Sequence, residues 1–304
     1  MTTHNDMKSK SLLSASDLAT YREKGCLLVP KLIAEQETTE LRIEAERLIA
    51  NAPVSADATS DVQGRSVEEP SDYVFAKDPE GNGVANRFWF PAWRSRMFLE
   101  AYGNPRILGA AFALYGKNMV PFDESVVFKL PGHGAGFPWH QDGGFRTGDA
   151  VERGVNFGIY LTPSTIDNGA LYVVPGSHAK GKLDVKALVE QHGFELPGAE
   201  LAPAKAGDAN LHSRSLLHGS KPNESDTIRV TWYVGFHHMD SVVDLHTPDM
   251  IARRRALIPL AVRARIDSGR FPEEVPFDLT LLDADAVGST FNVDTITRTP
   301  ALQL

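Results

Sequence analysis

The chain is poor in several features that would point to particular classes of protein. It has one cysteine, Cys26, in 304 residues, which excludes an internal disulfide framework and fits a reducing compartment. Its net charge is −8, which argues against a nucleic-acid partner. No apolar run has the length of a membrane-spanning helix, and there is no internal repeat. We therefore expect a globular cytoplasmic protein that binds neither nucleic acid nor a membrane.

The beginning of the chain and its cysteine predict little chemistry. Residues 1–12 are polar and lack the apolar centre of a signal peptide, so we expect a disordered leader. Cys26 precedes the apolar run Leu27-Leu28-Val29, which is typical of a small core residue and not of a nucleophile.

The pattern of apolar residues changes at Val120 from helical spacing to short strands separated by Gly and Pro turns. Strands at this spacing are typical of a sandwich or jelly roll. We therefore predict a mainly β fold with flanking helices (α+β) and a double-stranded β-helix, cupin-like core. The expected strands are 123–130, 136–142, 153–162, 170–174, 200–203, 208–218 and 227–237.

The remaining segments predict a single domain built around that core. Residues 13–119 read as a helical N-terminal part, 120–240 as the jelly roll and 241–304 as a C-terminal helical extension. Residues 52–84 are rich in Asp, Ser, Pro and Gly. So long an irregular stretch is usually a lid or a disordered loop, and we favour a lid.

Two conspicuous clusters have ordinary explanations that we prefer. The aromatic run at 86–93 predicts core packing, with a wall of the substrate pocket as the alternative. Three consecutive arginines, Arg253 to Arg255, lie in the helix-forming segment 250–266. They predict a solvated helix face, with an anion site as the alternative.

A His-x-Asp pair, His140 and Asp142, lies on an expected strand. Residues i and i+2 of a strand point to the same face, so the imidazole and the carboxylate converge. They are two thirds of the 2-His-1-carboxylate triad that holds non-haem Fe(II) and leaves coordination positions open. The pair alone is weak, because a turn in which Asp142 caps its own backbone has the same sequence.

A second histidine and a basic residue follow on later expected strands. His212 and His218 have the same parity, so an unbroken strand would point both inward. Arg229 is eleven residues beyond His218, on the next strand. A third metal ligand followed by a lone arginine suits a site for Fe(II) and a dicarboxylic keto acid.

Four segments resemble the phytanoyl-CoA dioxygenase family of Fe(II)/2-oxoglutarate oxygenases. They occur in the family's order over roughly residues 120–236: 139–142 (Trp-His-Gln-Asp), 167–178 (Asp-Asn-Gly through Pro-Gly-Ser-His), 218–220 (His-Gly-Ser) and Arg229. The resemblance selects His218 as the third ligand, because its Gly-Ser suffix and the following arginine match the family. His212 then becomes a neighbour of the metal site or a pocket residue.

The resemblance implies a role for each residue and three cofactors, Fe(II), 2-oxoglutarate and O2. Arg229 would bind the distal carboxylate of 2-oxoglutarate in bidentate fashion, and Ser220 would add a hydroxyl donor. Lys129 is an anion contact or a surface lysine. The family's aromatic contact to the keto acid would align near Gly158, and Tyr160 is its expected substitute. Asp142 favours hydroxylation or another oxidation over halogenation.

The substrate is expected to be a small organic metabolite with an unactivated C–H bond, oxidised with release of succinate and CO2. An acyl-CoA is disfavoured because the central region has few basic residues. The expected pocket residues are His133, Phe137, Trp139, Phe145, His212 and Trp232. Competing hypotheses are a cupin-like metal-binding protein without oxygenase activity and a metal-dependent isomerase. A homodimer is an open alternative.

Overall fold

The computed structural model describes residues 12–55, 72–77, 81–132, 136–143, 154–283 and 292–297. The helices are α1 Ala15–Lys24, α2 Glu35–Ile49, α3 Pro91–Arg94, α4 Arg96–Tyr102, α5 Pro105–Tyr115, α6 Val185–His192, α7 Pro248–Asp267 and α8 Val293–Thr297. The strands are β1 Cys26–Val29, β2 Tyr73–Lys77, β3 Gly83–Trp89, β4 Met119–Lys129, β5 Phe137–His140, β6 Gly154–Tyr160, β7 Leu171–Val173, β8 Glu200–Ala202, β9 Ala209–Ser213, β10 His218–Ser220 and β11 Arg229–His238.

Two antiparallel sheets form the centre of the fold. Among the described residues, the first sheet has the order β1-β9-β6-β11-β4-β3-β2 and the second has the order β5-β10-β7-β8. From β4 to β11 the chain changes sheet at every step except between β7 and β8, which pair with each other, and this is the strand order of a double-stranded β-helix. This confirms the predicted fold class. Helix α6 packs on β5 of the second sheet. Helices α4, α5 and α7 pack outside the first sheet, where Trp232 and Phe98 meet edge to face within the main apolar core.

The first helix shows how local sequence sets an element boundary. Ser14 accepts a hydrogen bond from the Asp17 main-chain N–H, while the Asp17 carboxylate accepts one from the Ser14 N–H. This capping box begins α1. Gly25 ends it in a left-handed conformation with φ of 74°. The chain then enters β1 at Cys26, whose burial raises the pKa of its thiol to about 11. A thiol in that state is a poor nucleophile, as its apolar surroundings suggest.

Two predictions about elements need correction, and a third falls almost wholly outside the described residues. The segment 52–84 contains β2 and the first residues of β3, although 56–71 and 78–80 lie outside the described residues. The predicted strand 208–218 is two strands, β9 and β10, because the chain leaves one sheet at Ser213 and enters the other at His218. The leader falls outside the described residues, except for Leu12.

Two of the three arginines of the cluster on α7, Arg254 and Arg255, are buried, contrary to the prediction of a solvated helix face, whereas Arg253 is partly exposed. Arg254 has no exposed surface, and its Nε donates to the Pro121 carbonyl oxygen at 3.1 Å. Arg255 is 8% exposed and donates to the Lys117 carbonyl oxygen at 3.0 Å. These hydrogen bonds tie α7 to the first sheet, because a buried guanidinium needs acceptors that water can no longer provide. No helix in the described part of the chain is long and apolar enough to cross a membrane.

A buried ion pair joins α7 to α2, and its loss is expected to destabilise the fold. Arg265 and Glu37 are 4% and 5% exposed, and Arg265 Nη1 lies 2.6 Å from Glu37 Oε1. Arg265→Ala leaves the Glu37 carboxylate buried without this partner, so we expect a loss of about 3–5 kcal/mol in the free energy of unfolding. Denaturant unfolding measures it. Arg253→Ala, which breaks an exposed pair with Asp249 on the same helix, should cost less than about 1 kcal/mol. Equal losses would contradict this interpretation.

Candidate active site

Strand pairing brings the two histidines of the predicted triad together. His140 on β5 and His218 on β10 are directly opposite each other in the antiparallel ladder, and their ring centroids are 4.2 Å apart. Directly opposed side chains on neighbouring strands point to the same side at close range. Asp142 follows two residues after His140, with Oδ1 3.3 Å from His140 Nε2 and Oδ2 3.5 Å from His218 Nε2. One potential ligand atom from each of the three residues lies within 4.8 Å of the others.

The hydrogen bonds of the two imidazoles fix which nitrogen faces the cluster. His140 Nδ1 lies 2.6 Å from the Pro138 carbonyl oxygen, and His218 Nδ1 lies 2.8 Å from the Leu216 carbonyl oxygen. A carbonyl oxygen can only accept, so each Nδ1 carries the proton. Each Nε2 therefore presents a lone pair towards Asp142. A metal-binding histidine commonly donates its other N–H to such an acceptor, so the donor set fits Fe(II).

Three neighbours hold the carboxylate end of the triad. Asn156 on β6 donates from Nδ2 to Asp142 Oδ2 at 2.7 Å. Arg214 Nη2 donates to the Asp142 carbonyl oxygen at 2.7 Å, and Gln141 Nε2 donates to the Ser215 carbonyl oxygen at the same distance. The segment after β5 is thus fixed to the chain between β9 and β10, which restricts the position of the Asp142 side chain.

Burial and neighbouring charges favour the metal-binding protonation state at Asp142 and His218, whereas at His140 they favour the protonated imidazole, whose second proton metal binding would have to displace. Burial acts to raise the pKa of Asp142, but the imidazoles of His218 and His140 outweigh it and hold that pKa well below its usual range. Burial lowers the pKa of His218, and it lowers the pKa of His212 to about 3. Burial also acts to lower the pKa of His140, but the hydrogen bond and charge of Asp142 raise it overall. An ionised carboxylate and neutral imidazoles are the ligand forms.

A cavity of about 190 Å³ adjoins the cluster and receives side chains from both sheets. Strand alternation explains part of its lining: Asp123 and Ser125 share a face of β4, and Arg229 and Tyr233 share a face of β11. Phe122, next to Asp123, does not follow this alternation. Among the described residues it is lined by Arg87, Trp89, Phe122, Asp123, Ser125, Phe137, His140, Asp142, Asn156, Leu171, His212, Arg214, His218, Gly219, Ser220, Arg229 and Tyr233.

Two buried cations lie where the sequence placed the co-substrate anchor. Arg229 is 3% exposed, and its Nη1 donates to the Gly169 carbonyl oxygen at 2.7 Å. Lys129, opposite Arg229 in the ladder, is 6% exposed and donates to Ser220 Oγ at 2.6 Å. Burial, aided by the charge of Arg229, lowers the pKa of Lys129 to about 7. Neither cation has a carboxylate partner in the described part of the chain, and Arg229 Nε has no acceptor there.

Comparison with known proteins identifies the family. The sequence profile described as Phytanoyl-CoA dioxygenase (PhyH) matches residues 21–231, more than half of the chain. The chain belongs to the phytanoyl-CoA dioxygenase family. An ectoine dioxygenase of Streptomyces avermitilis is 28% identical over 255 residues, which cover 75% of this chain and 80% of that protein. A methylphosphonate hydroxylase of Gimesia maris is 26% identical over 227 residues, which cover 74% and 81%.

A solved structure of similar architecture supports the fold assignment. EctD from S. alaskensis with bound Fe superposes with a TM-score of 0.60 at 20% identity, over 78% of this chain and 81% of that one. A structure of the same enzyme with 2-oxoglutarate and 5-hydroxyectoine gives the same TM-score. The sequence prediction of enzyme class is confirmed. The protein is an Fe(II)- and 2-oxoglutarate-dependent dioxygenase that uses O2.

Two of the pocket residues predicted from sequence, Trp139 and Trp232, do not line the described cavity. Trp139 is 4% exposed and donates from Nε1 to the Phe194 carbonyl oxygen at 2.9 Å, since the neighbour of an inward His140 faces outward. Trp232 is the neighbour of Tyr233, which lines the cavity, so Trp232 faces the other side of β11 and is fully buried in the main core. Phe137 and His212 do line the cavity, and His212 Nε2 lies 3.9 Å from Asp142 Oδ2. His133 and Phe145 lie outside the described residues.

Near Gly158 the aromatic ring on the cavity wall comes from Tyr233, and not from Tyr160 as the sequence analysis expected. Tyr233 is paired with Gly158 across the ladder, and a Cβ at Gly158 would lie 3.2 Å from Tyr233 Cε1. The Tyr233 ring on the neighbouring strand therefore occupies the space in which the family's aromatic contact was expected at Gly158. Tyr160 is 1% exposed and hydrogen-bonds to the Ser164 side chain, away from the described cavity wall.

The sequence analysis also missed cavity residues that carry charge or hydrogen bonds. Asn156 and Tyr233 could have been found by parity, because each shares a strand face with Gly158 or Arg229. No pattern in the surrounding sequence indicated that three further residues line the cavity: Arg87, Asp123 and Arg214. They come from three separate segments that only the sheet order places side by side.

Proposed function

We propose that His140, Asp142 and His218 hold Fe(II), that Arg229, Lys129 and Ser220 bind 2-oxoglutarate, and that the adjoining cavity holds a small organic metabolite. O2 is consumed: for hydroxylation one of its oxygen atoms is inserted into an unactivated C–H bond of the metabolite, and the other enters succinate as 2-oxoglutarate loses CO2. For another oxidation, such as desaturation, the metabolite loses two hydrogen atoms, which leave with the first oxygen atom as water. A single oxygenase domain, a cytoplasmic location and a homodimer stay predictions.

One observation carries the proposal beyond metal binding: the two buried cations beside the His/Asp/His cluster. Burying a charge without a counter-charge is costly, so a site built from Arg229 and Lys129 favours an anionic ligand. The guanidinium offers two parallel N–H donors to one carboxylate, and Lys129 with Ser220 adds further donors. A plain metal-binding barrel or an isomerase with the same three ligands has no need of this anchor.

The residues around the site have different roles, which depend on where they lie relative to the metal cluster. O2 is the oxidant of the reaction, Fe(II) with 2-oxoglutarate would activate it when bound, and the protein supplies placement and shielding. Asn156 holds the orientation of the Asp142 carboxylate, and the Pro138 and Leu216 carbonyl oxygens hold the imidazoles. Tyr233 and Phe137 form an apolar part of the wall, which excludes water from the reacting carbon.

The dimensions of the cavity favour a small substrate. Its volume of about 190 Å³ is below the roughly 300–1,000 Å³ of pockets that hold drug-sized ligands. An acyl-CoA would have to lie mostly outside it. Ectoine and methylphosphonate are the substrates named for two relatives, so both compounds are the first to test here.

Turnover of 2-oxoglutarate tests the proposal. The purified protein with Fe(II), 2-oxoglutarate and O2 should form succinate, and a substrate should increase the rate. Succinate is measured by mass spectrometry, with chelator-treated protein as the control. Metal-dependent conversion of a compound without loss of 2-oxoglutarate would contradict the proposal and favour an isomerase. Metal binding with no turnover of either compound class would favour a cupin-like binding protein.

A further inference from the structure

The cavity contains a third cation, Arg87 on β3, that the co-substrate anchor does not use. Its Cζ lies 5.3 Å from the ring centroid of Trp89 and 5.6 Å from that of Phe137. Among the residues that the structure describes, its guanidinium has no hydrogen-bond acceptor and no ion pair. Aromatic rings on a guanidinium fix its plane and leave its N–H edge available to a ligand.

The charged groups near Arg87 leave its guanidinium available to a ligand. Asp123 also lines the cavity, but its carboxylate interacts more strongly with Arg254 and Arg214 than with Arg87. Arg214 differs from Arg87, because it donates to the Asp142 carbonyl oxygen and its Cζ lies 4.2 Å from the ring centroid of Phe122. Arg87 therefore keeps an N–H edge that no described acceptor occupies.

Its position separates Arg87 from the 2-oxoglutarate anchor and places it beside the metal cluster. Strand β4 lies between β3 and β11, so the backbones of Arg87 and Arg229 are about 10 Å apart at the usual strand spacing. The Phe137 ring lies near both sites, with its centroid 5.6 Å from Arg87 Cζ and 5.5 Å from Lys129 Nζ of the anchor. Arg87 is also near enough to His140 and Tyr233 to affect their pKa values, disfavouring the charged imidazole and favouring the phenolate.

We propose that Arg87 binds an oxyanion group of the compound that is oxidised, so that the substrate is a small organic acid. This inference rests on the proposed function. A carboxylate or phosphonate accepts two parallel hydrogen bonds from a guanidinium, and the aromatic pair desolvates that contact. The reacting carbon lies a few bonds from the anionic group, since Arg87 and the triad line the same small cavity. Neutral analogues lose this contact and bind weakly.

A panel of paired compounds tests the substrate class. Ectoine, methylphosphonate, and short-chain carboxylates and phosphonates are each compared with the methyl ester in which every acidic oxygen is esterified, so that the anionic group is lost, in the presence of Fe(II) and 2-oxoglutarate. The acids should stimulate 2-oxoglutarate consumption and bind in calorimetry under anaerobic conditions, whereas the esters should do neither. Esters that act as well as their acids, or a panel in which no acid binds, would overturn the proposal.

Substitution of Arg87 tests the residue. In Arg87→Gln the KM and the anaerobic Kd of the best acid should rise about 10- to 100-fold, the usual effect of losing charge-assisted hydrogen bonds. Arg87→Lys should give intermediate values of KM and Kd, because lysine keeps the positive charge but lacks the planar pair of N–H donors. Arg253→Gln, which alters an arginine paired with Asp249 on α7, should leave both constants unchanged.

The affinity for 2-oxoglutarate separates failure of this proposal from failure of the proposed function. Under anaerobic conditions Arg87→Gln should keep the wild-type Kd for 2-oxoglutarate. If that Kd rises while the Kd of the acid is unchanged, Arg87 belongs to the co-substrate site and the proposal is overturned. An unchanged Kd of the acid alone also overturns it, while the oxygenase site stands. If the wild-type protein binds no 2-oxoglutarate, both fail.

Discussion

The His218→Ala variant loses Fe(II) binding and 2-oxoglutarate turnover. Its imidazole lies directly opposite His140 and presents Nε2 to the cluster, so its removal takes away one of three protein ligands. Loss of a residue that merely orients a ligand typically costs about 10–100-fold in metal affinity, so loss of a ligand should cost more than about 100-fold. Titration of the metal-free protein with Fe(II) measures the affinity, and succinate formation measures the turnover.

Two further variants make that result interpretable. Asn156→Ala removes only the hydrogen bond to Asp142 Oδ2 and should give an intermediate loss of about 10–100-fold in Fe(II) affinity. His192→Ala, at the end of α6 and outside the described cavity wall, should have wild-type affinity. If His218→Ala binds Fe(II) as tightly as His192→Ala, then His212 or another group is the third ligand.

The second large effect is expected at Arg229. Arg229→Gln removes a buried guanidinium from the 2-oxoglutarate anchor, and truncating one partner of a buried charge pair typically costs about 2–5 kcal/mol. The Kd for 2-oxoglutarate should therefore rise about 30- to several thousand-fold, by about tenfold for each 1.4 kcal/mol. Anaerobic calorimetry on the Fe(II)-loaded protein measures it, and the Fe(II) affinity should not change.

Arg229→Lys and a surface arginine provide the comparison. The lysine keeps the charge but loses bidentate geometry, so a smaller increase in Kd is expected. Arg42→Gln alters a partly exposed pair with Glu46 on α2 and should have no effect on the Kd. Equal Kd values for Arg229→Gln and Arg42→Gln would show that 2-oxoglutarate is not anchored at Arg229.

Local sequence was sufficient where a side chain's role depends on its own strand. The i, i+2 spacing of His140 and Asp142 placed both on one face, and the structure brings them to one point with His218. The same period gave most strands of the jelly roll to within a few residues, although 208–218 divides into β9 and β10. These features depend on backbone geometry within a few residues, which the sequence determines directly.

Features that depend on which elements meet could not be predicted. Trp232 was expected in the pocket and Tyr233 was not considered, although Tyr233 shares the strand face of Arg229 and Trp232 faces the helices. Arg254 has the charge of a surface residue, and only the packing of α7 on β4 reveals that it is buried. Arg87 joins the cavity because β3 lies next to β4, which no local pattern encodes.

The measurement that tests the central claim most directly is an anaerobic titration of the metal-free protein with Fe(II) and then 2-oxoglutarate. A weak visible charge-transfer band should appear when the keto acid chelates the metal. The band should be absent in His218→Ala and should need much more 2-oxoglutarate in Arg229→Gln. Binding of Fe(II) without any band at saturating 2-oxoglutarate would contradict the assignment of this site to an oxygenase.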